Sequence, residues 1–76
     1  MRNENIDISG EYIKLDSLLK FAGICGTGGE AKDRILSGGV LVNGKICLLR
    51  GKKIYDSDKV SINDVVLEVK TAIPGR

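Results

Sequence analysis

The chain has no histidine, one proline, two cysteines and only three aromatic residues among its 76. Each scarcity removes a class of chemistry. Without histidine, neither a Ser/His/Asp nor a Cys/His catalytic arrangement can be assembled. The acid pairs Asp56 with Asp58 and Asp7 with Glu11 fit turn and surface roles better than general acid–base work. Two thiolates cannot close a tetrahedral zinc shell, and no Cys-x-x-Cys is present. No metal or other cofactor is therefore expected. Cys25 and Cys47 read as free thiols packed as small hydrophobes in a reducing compartment, with one disulfide as the alternative. Cys25 would be a nucleophile only if a neighbouring charge lowered its pKa. The rings of Tyr12, Phe21 and Tyr55 are scattered along the chain, and Phe21 reads as core. That is too little for a platform on which single-stranded bases stack. No apolar run approaches the ~18 residues of a membrane span. Residues 1–9 are polar and lack the pattern of a signal peptide. The expectation is a small single-domain cytoplasmic protein, monomeric, with one core and no deep cleft for a small-molecule substrate.

What is there is charge, unevenly spread. The net charge of +2 says little. Residues 14–53, however, hold eight basic side chains against three acidic ones, a net of +5. The flanking segments are mildly acidic, −2 over residues 1–13 and −1 over residues 54–76. A basic block between acidic flanks points to a polyanionic partner. Its sharpest element is Arg50-Gly51-Lys52-Lys53, three cations around one glycine, read as a loose loop able to follow a phosphate backbone.

Hydrophobic periodicity sets the elements. Residues 1–5 read as a loose lead-in, and Ile6 and Ile8 alternate with polar neighbours as a short strand. Tyr12-Ile13-Lys14 extends that strand past Gly10. Leu15, Leu18, Leu19 and Ala22 fall at i, i+3, i+4 and i+7, one face of a short helix with Gly23 as its C′ residue. Thr27 and Glu30 form a capping box that opens a second helix running to about Ser37, with Ala31 and Ile35 inward and Gly38-Gly39 as the stop. Val40-Leu41-Val42 and Lys45-Ile46-Cys47 flank Asn43-Gly44, a hairpin signal. A turn at Asp56-Ser57-Asp58 leads to a second strand pair around Asn63-Asp64, and residues 70–76 read as a frayed tail. The fold class is α+β, two short helices packed on a small, mostly antiparallel sheet. Residues 1–9 form the lead-in, 10–70 the domain and 71–76 the tail.

The glycine-rich stretch 23–30 invites a nucleotide-binding interpretation, which its context rejects. Glu30 stands where a P-loop needs lysine. Gly26-Thr27-Gly28-Gly29-Glu30-Ala31 fits G-x-G-x-x-A, but a helix precedes it and antiparallel strands follow, so no βαβ unit exists. Two simpler roles remain open for the start of the second helix. It is an anion site with Lys32 nearby, or a capped helix with a flexible entry.

From Tyr12 to about Val60 the order of motifs resembles the RNA-binding domain first described in small-subunit ribosomal protein four, the S-four-type domain. Its Leu-Asp-x-x-Leu helix start matches Leu15-Asp16-Ser17-Leu18-Leu19. Its Gly-x-Val-x-Val-Asn-Gly matches Gly39-Val40-Leu41-Val42-Asn43-Gly44, with one residue fewer before the first valine. The chain is similar above all to the small standalone bacterial proteins of this type that associate with ribosomes. There the second helix opens with Thr-Gly-Gly-Glu-Ala-Lys, here Thr27 to Lys32, and the hairpin is followed by Arg-Arg-Gly-Lys-Lys, here Leu49-Arg50-Gly51-Lys52-Lys53. Leu49 replaces the first arginine, and Ser57 stands where glycine precedes Asp58.

The resemblance implies a non-catalytic domain that binds structured RNA, ribosomal or transfer RNA, on a surface made by the second helix and the loop after the hairpin. Carried over residue by residue, that surface comprises Lys32, Asn43, Arg50, Lys52 and Lys53, with Lys20 and Thr27 beside them. The competing expectation is a protein-interaction adaptor on a ribosomal or nucleic-acid-processing assembly, docking through an exposed edge strand. A sulfur carrier of the β-grasp class is disfavoured, because the sequence ends Pro74-Gly75-Arg76 and not in a diglycine.

Overall fold

The computed structural model describes residues 2–73. The elements run β1 (Arg2–Ile8), β2 (Tyr12–Lys14), α1 (Leu15–Phe21), α2 (Gly28–Leu36), β3 (Val40–Val42), β4 (Lys45–Ile46), β5 (Lys53–Tyr55), β6 (Lys59–Ile62) and β7 (Val65–Thr71). The class is α+β, with two helices and a mostly antiparallel sheet. The tail expected to fray from residue 70 is ordered at its start, because Lys70 and Thr71 complete β7 and pair with Asp7 and Ile8 of β1; residues 74–76 lie outside the described residues, as does residue 1.

Both helices stop in the same way. At the end of α1, Gly23 takes φ 77°. Its N–H reaches Lys20 O at 3.0 Å, and that of Ile24 reaches Leu19 O at 3.0 Å. Gly38 does the same for α2 at φ 84°, with Gly38 N to Ile35 O at 3.1 Å and Gly39 N to Arg34 O at 3.2 Å. These are paired Schellman bonds, and only glycine enters that left-handed region without cost. The starts differ. α2 opens on Thr27, whose Oγ1 accepts from Glu30 N at 3.1 Å. The Glu30 carboxylate returns to Gly26 N at 2.6 Å, one residue before the cap. α1 has no side-chain cap.

The main sheet has the order β1-β7-β6-β3-β4. β3 and β4 turn back on Asn43 (φ 51°) and Gly44 (φ 87°), the type I′ geometry that Asn-Gly favours. β6 and β7 join at Asn63, and β3 lies antiparallel to β6. Along β7, Val65, Leu67 and Val69 point into the core, where they meet Leu15, Leu18 and Leu19 of α1 and Ala31 and Ile35 of α2. The intervening Glu68 and Lys70 face outward and pair at 2.7 Å.

Four further expectations are corrected. β1 starts at Arg2, so most of the lead-in is strand, and it runs parallel to β7 with Arg2 opposite Val65. The sequence shows half of that pair as polar because only one face of an outer strand is covered. β2 does not prolong β1. It leaves the main sheet and pairs antiparallel with β5, forming a second sheet. β5 is a strand that the periodicity leaves unassigned, with its first residue, Lys53, placed in the basic loop. Three residues are too few to show a period, and its partner lies some forty positions earlier. Finally, Phe21 is 63% exposed. It sits six residues after Leu15, about 240° around the helix, off the apolar face that Leu18 and Leu19 define.

Asp58 is the one buried charged side chain among the described residues. Its Oδ2 accepts from Tyr55 N at 2.8 Å and its Oδ1 from Asn43 Nδ2 at 3.2 Å. Its backbone N–H donates to Tyr55 O, and its carbonyl accepts from Val69 N. Ser57, immediately before it, stands at φ 72°. A serine there carries left-handed strain that glycine would not. Ser57→Gly should therefore stabilise the fold by about 0.5–1 kcal/mol, after offsetting glycine's extra chain entropy, read as a raised urea midpoint with unchanged m.

The half-buried Glu68–Lys70 pair yields a pH signature. Its hydrogen bond from Lys70 holds the Glu68 carboxyl below the usual glutamate range and lifts the Lys70 ammonium above its own. A carboxyl whose pKa falls on folding adds stability above its unfolded pKa and loses it as pH drops through the folded value. The lysine's share is full below its unfolded pKa and is lost as pH rises through the folded one. Lys70→Ala should return the Glu68 carboxyl toward the ordinary range in an NMR titration.

Candidate nucleic-acid interface

The missing cap of α1 explains the basic loop. The first N–H groups of a helix need acceptors, and here they come from the backbone of residues 50–52. Leu15 N donates to Lys52 O at 2.9 Å and Asp16 N to Arg50 O at 3.0 Å. A turn closes the loop internally, Lys52 N to Leu49 O at 3.1 Å. The segment is thus pinned at two points, not loose as its composition implied. With its carbonyls turned to the helix, its cationic side chains remain exposed.

Those charges are largely uncompensated. Asp16 lies near the helix start, its Oδ1 accepting from Ser17 N at 2.7 Å. Its other oxygen is 4.0 Å from Arg50 Nε, a long and solvated contact worth little. Lys14, Lys52 and Lys53 have no acidic partner among the described residues. Lys14 and Lys53 lie directly opposite each other across β2 and β5. Like charges facing each other across a strand pair are destabilising, and a bound polyanion relieves that repulsion. On the same face, Tyr12 lies opposite Tyr55, their centroids 5.8 Å apart, and Lys53 Nζ stands 4.9 Å from the centre of the Tyr12 ring. The inward side of the pair is Ile54, fully buried, with Ile13 packed against the core.

A shallow groove of about 580 Å³ connects the loop to the hairpin. Asn43, Lys45 and Lys52 line it together with Ile46, Leu48 and Leu49. The Asn43 side chain is committed internally: besides its bond to Asp58, its Oδ1 accepts from Lys59 N at 2.9 Å. Its backbone N–H also reaches Lys59 O at 2.7 Å.

A family model of the S4 domain matches residues 6–70, most of the chain. The chain belongs to the S4-domain family. Among curated proteins none matches it. S4 domains are RNA-binding, non-catalytic domains.

Within this S4 domain the expected residues fall into two groups. Arg50, Lys52 and Lys53 gather at the start of α1, with Asn43 across the groove. Thr27 and Lys32 sit at the start of α2, and Lys20 is in the last turn of α1. No hydrogen bond or ion pair among the described residues ties these three to the loop. The Thr27 hydroxyl is occupied by Glu30 N, and an anion approaching the α2 start meets the Glu30 carboxylate. That arrangement fits the capped-helix role better than the anion site. Lys14 and Lys45 were absent from the expected set. Lys14 follows the alternating Tyr12-Ile13 in sequence, but only its pairing with β5 brings it to the loop.

Cys25 is not activated. It is 3% exposed, and burial, helped by the Glu30 carboxylate and opposed by Arg34, pushes its thiol pKa up. Both cysteines are free.

Asn43 and Lys52 should therefore separate in stability. Asn43→Ala leaves the buried Asp58 carboxylate short of a donor and should cost about 1–3 kcal/mol. Lys52→Ala should stay within about 0.5 kcal/mol of the unaltered protein. Urea denaturation followed by circular dichroism reads both.

Proposed function

We propose that this S4 domain docks onto structured RNA, ribosomal or transfer RNA, as a monomer. In this reading it is a bacterial, cytoplasmic, ribosome-associated protein. Arg50, Lys52, Lys53 and Lys14 grip one stretch of phosphate backbone. Lys32 on α2, with Lys20 on α1, reaches phosphates on the other side of an RNA groove, and Thr27 serves by capping the helix that carries Lys32. Asn43 serves by holding the hairpin against Asp58, which fixes the groove beside the loop.

The observation that carries this reading is the uncompensated pair Lys14 and Lys53 beside a loop whose backbone is fastened to α1. A pinned cationic loop loses less conformational freedom on binding than a free one, and repulsion already present in the free protein is relieved by a phosphate. Backbone contacts of this kind give affinity with little choice of sequence.

A second reading rests on Ile46, Leu48 and Leu49, which are 63%, 52% and 68% exposed. They line the groove, Ile46 within β4 and Leu48 and Leu49 just after it, at an edge of the main sheet. Exposed apolar side chains along a strand edge suit a protein partner, which would make the domain an adaptor. Co-purification that survives RNase treatment is the result expected of an adaptor.

For the RNA reading, the expected outcome is tighter binding to a structured ribosomal RNA fragment than to a matched DNA duplex, with affinity falling steeply between two salt concentrations. Lys52→Ala combined with Lys53→Ala should reduce the log–log salt slope by about 2, one per phosphate contact. An unaltered slope would place the contact surface elsewhere.

A further inference from the structure

The three aromatic residues of this chain are far apart in sequence and gather in space. Tyr12 and Tyr55 are paired. Tyr12 and Phe21 line a common cavity of about 320 Å³, completed by Ile8, Ser9, Gly10 and Ile13. Phe21 is 63% and Tyr12 38% exposed, so the rings form walls open to solvent. The Gly10 part of the lining is held in place. The Thr71 hydroxyl donates to Gly10 O at 2.6 Å, and Thr71 N donates to Asp56 Oδ1 at 2.9 Å. Two cations accompany the Tyr12 wall, Lys53 with its Nζ over the Tyr12 ring and Lys14 across from Lys53 on the paired strand.

We propose that this cavity takes one unpaired nucleobase of the bound RNA, stacked between Tyr12 and Phe21, with its phosphate held by Lys53 and Lys14. The proposal rests on the RNA reading above and adds to it the kind of RNA preferred, a helix interrupted by an unpaired nucleotide. Three features argue for a base and against an apolar protein side chain. An aromatic face stacks on any base. The lysines beside the rings match the phosphate that every nucleotide carries. Lys53, which follows the pinned loop directly, reaches the Tyr12 wall, so a strand gripped by the loop can continue toward the cavity.

The test uses two RNA hairpins identical except for a single unpaired adenosine in the stem of one. The unaltered protein should bind the interrupted hairpin about tenfold more tightly, the order of one base–aromatic stack. Phe21→Leu should abolish that preference while leaving affinity for the continuous stem within about twofold, since Phe21 lies outside the core and a leucine cannot stack. Phe21→Trp should retain the preference, and its indole emission should be quenched by the interrupted hairpin only. Thermal unfolding of both variants confirms that they fold. Equal binding of the two hairpins by the unaltered protein would overturn the cavity's role and leave the RNA reading standing. So would a preference that survives Phe21→Leu. Binding of neither hairpin would sink the RNA reading together with this one, and leave the cavity to an apolar side chain of a protein partner.

Discussion

The carboxylate of Asp58 organises more of this molecule than its size suggests. A buried charge is tolerated only when donors surround it. Here the donors come from separate parts of the chain: the Tyr55 N–H from β5 and the Asn43 amide from the β3–β4 hairpin. Its main-chain bonds reach Val69 on β7. One residue thus sets where the small sheet meets the large one. Because β5 begins with Lys53 and ends with Tyr55, fixing its far end also fixes the positions of the lysine and the ring.

The same economy holds at the start of α1. A helix without a capping side chain must find acceptors elsewhere, and the carbonyls of the cationic loop supply them. The loop's position follows from a requirement of the helix. Its positive charge lies at the helix's positive end, an unfavourable placement that Asp16 only partly offsets. Together with Lys14 facing Lys53, this leaves the surface around β2 and the loop electrostatically loaded in the free protein, the condition under which an anion binds with most gain.

Local signals were legible in the sequence and remote ones were not. The Thr27–Glu30 box, the glycine stops and the Asn43-Gly44 turn each involve residues within a few positions of one another, and each forms. The fold class was legible for the same reason, with the order of motifs adding the family. The cations of the loop were legible as charge. Lys14 as their neighbour was not, because β2 finds β5 across some forty residues that carry no mark of the pairing. Asn43 drew attention at the hairpin, but its work for Asp58 depends on a residue fifteen positions on. Phe21 is different. Its angle on the helix placed it outside the apolar face, and aromatic character outweighed geometry in assigning it to the core.

The parallel pairing of β1 with β7 joins the two ends of the described chain. Of all the strand pairs, it spans the greatest length of intervening chain, and closing so long a loop costs entropy before any hydrogen bond compensates. During synthesis β1 emerges before every other strand of this domain and its partner after all of them. Until β7 is made, one flank of the nascent domain is an unsatisfied strand whose complement does not yet exist. Its polar composition, Arg-Asn-Glu-Asn over residues 2–5, keeps such a segment soluble and slow to pair with the wrong edge while it waits.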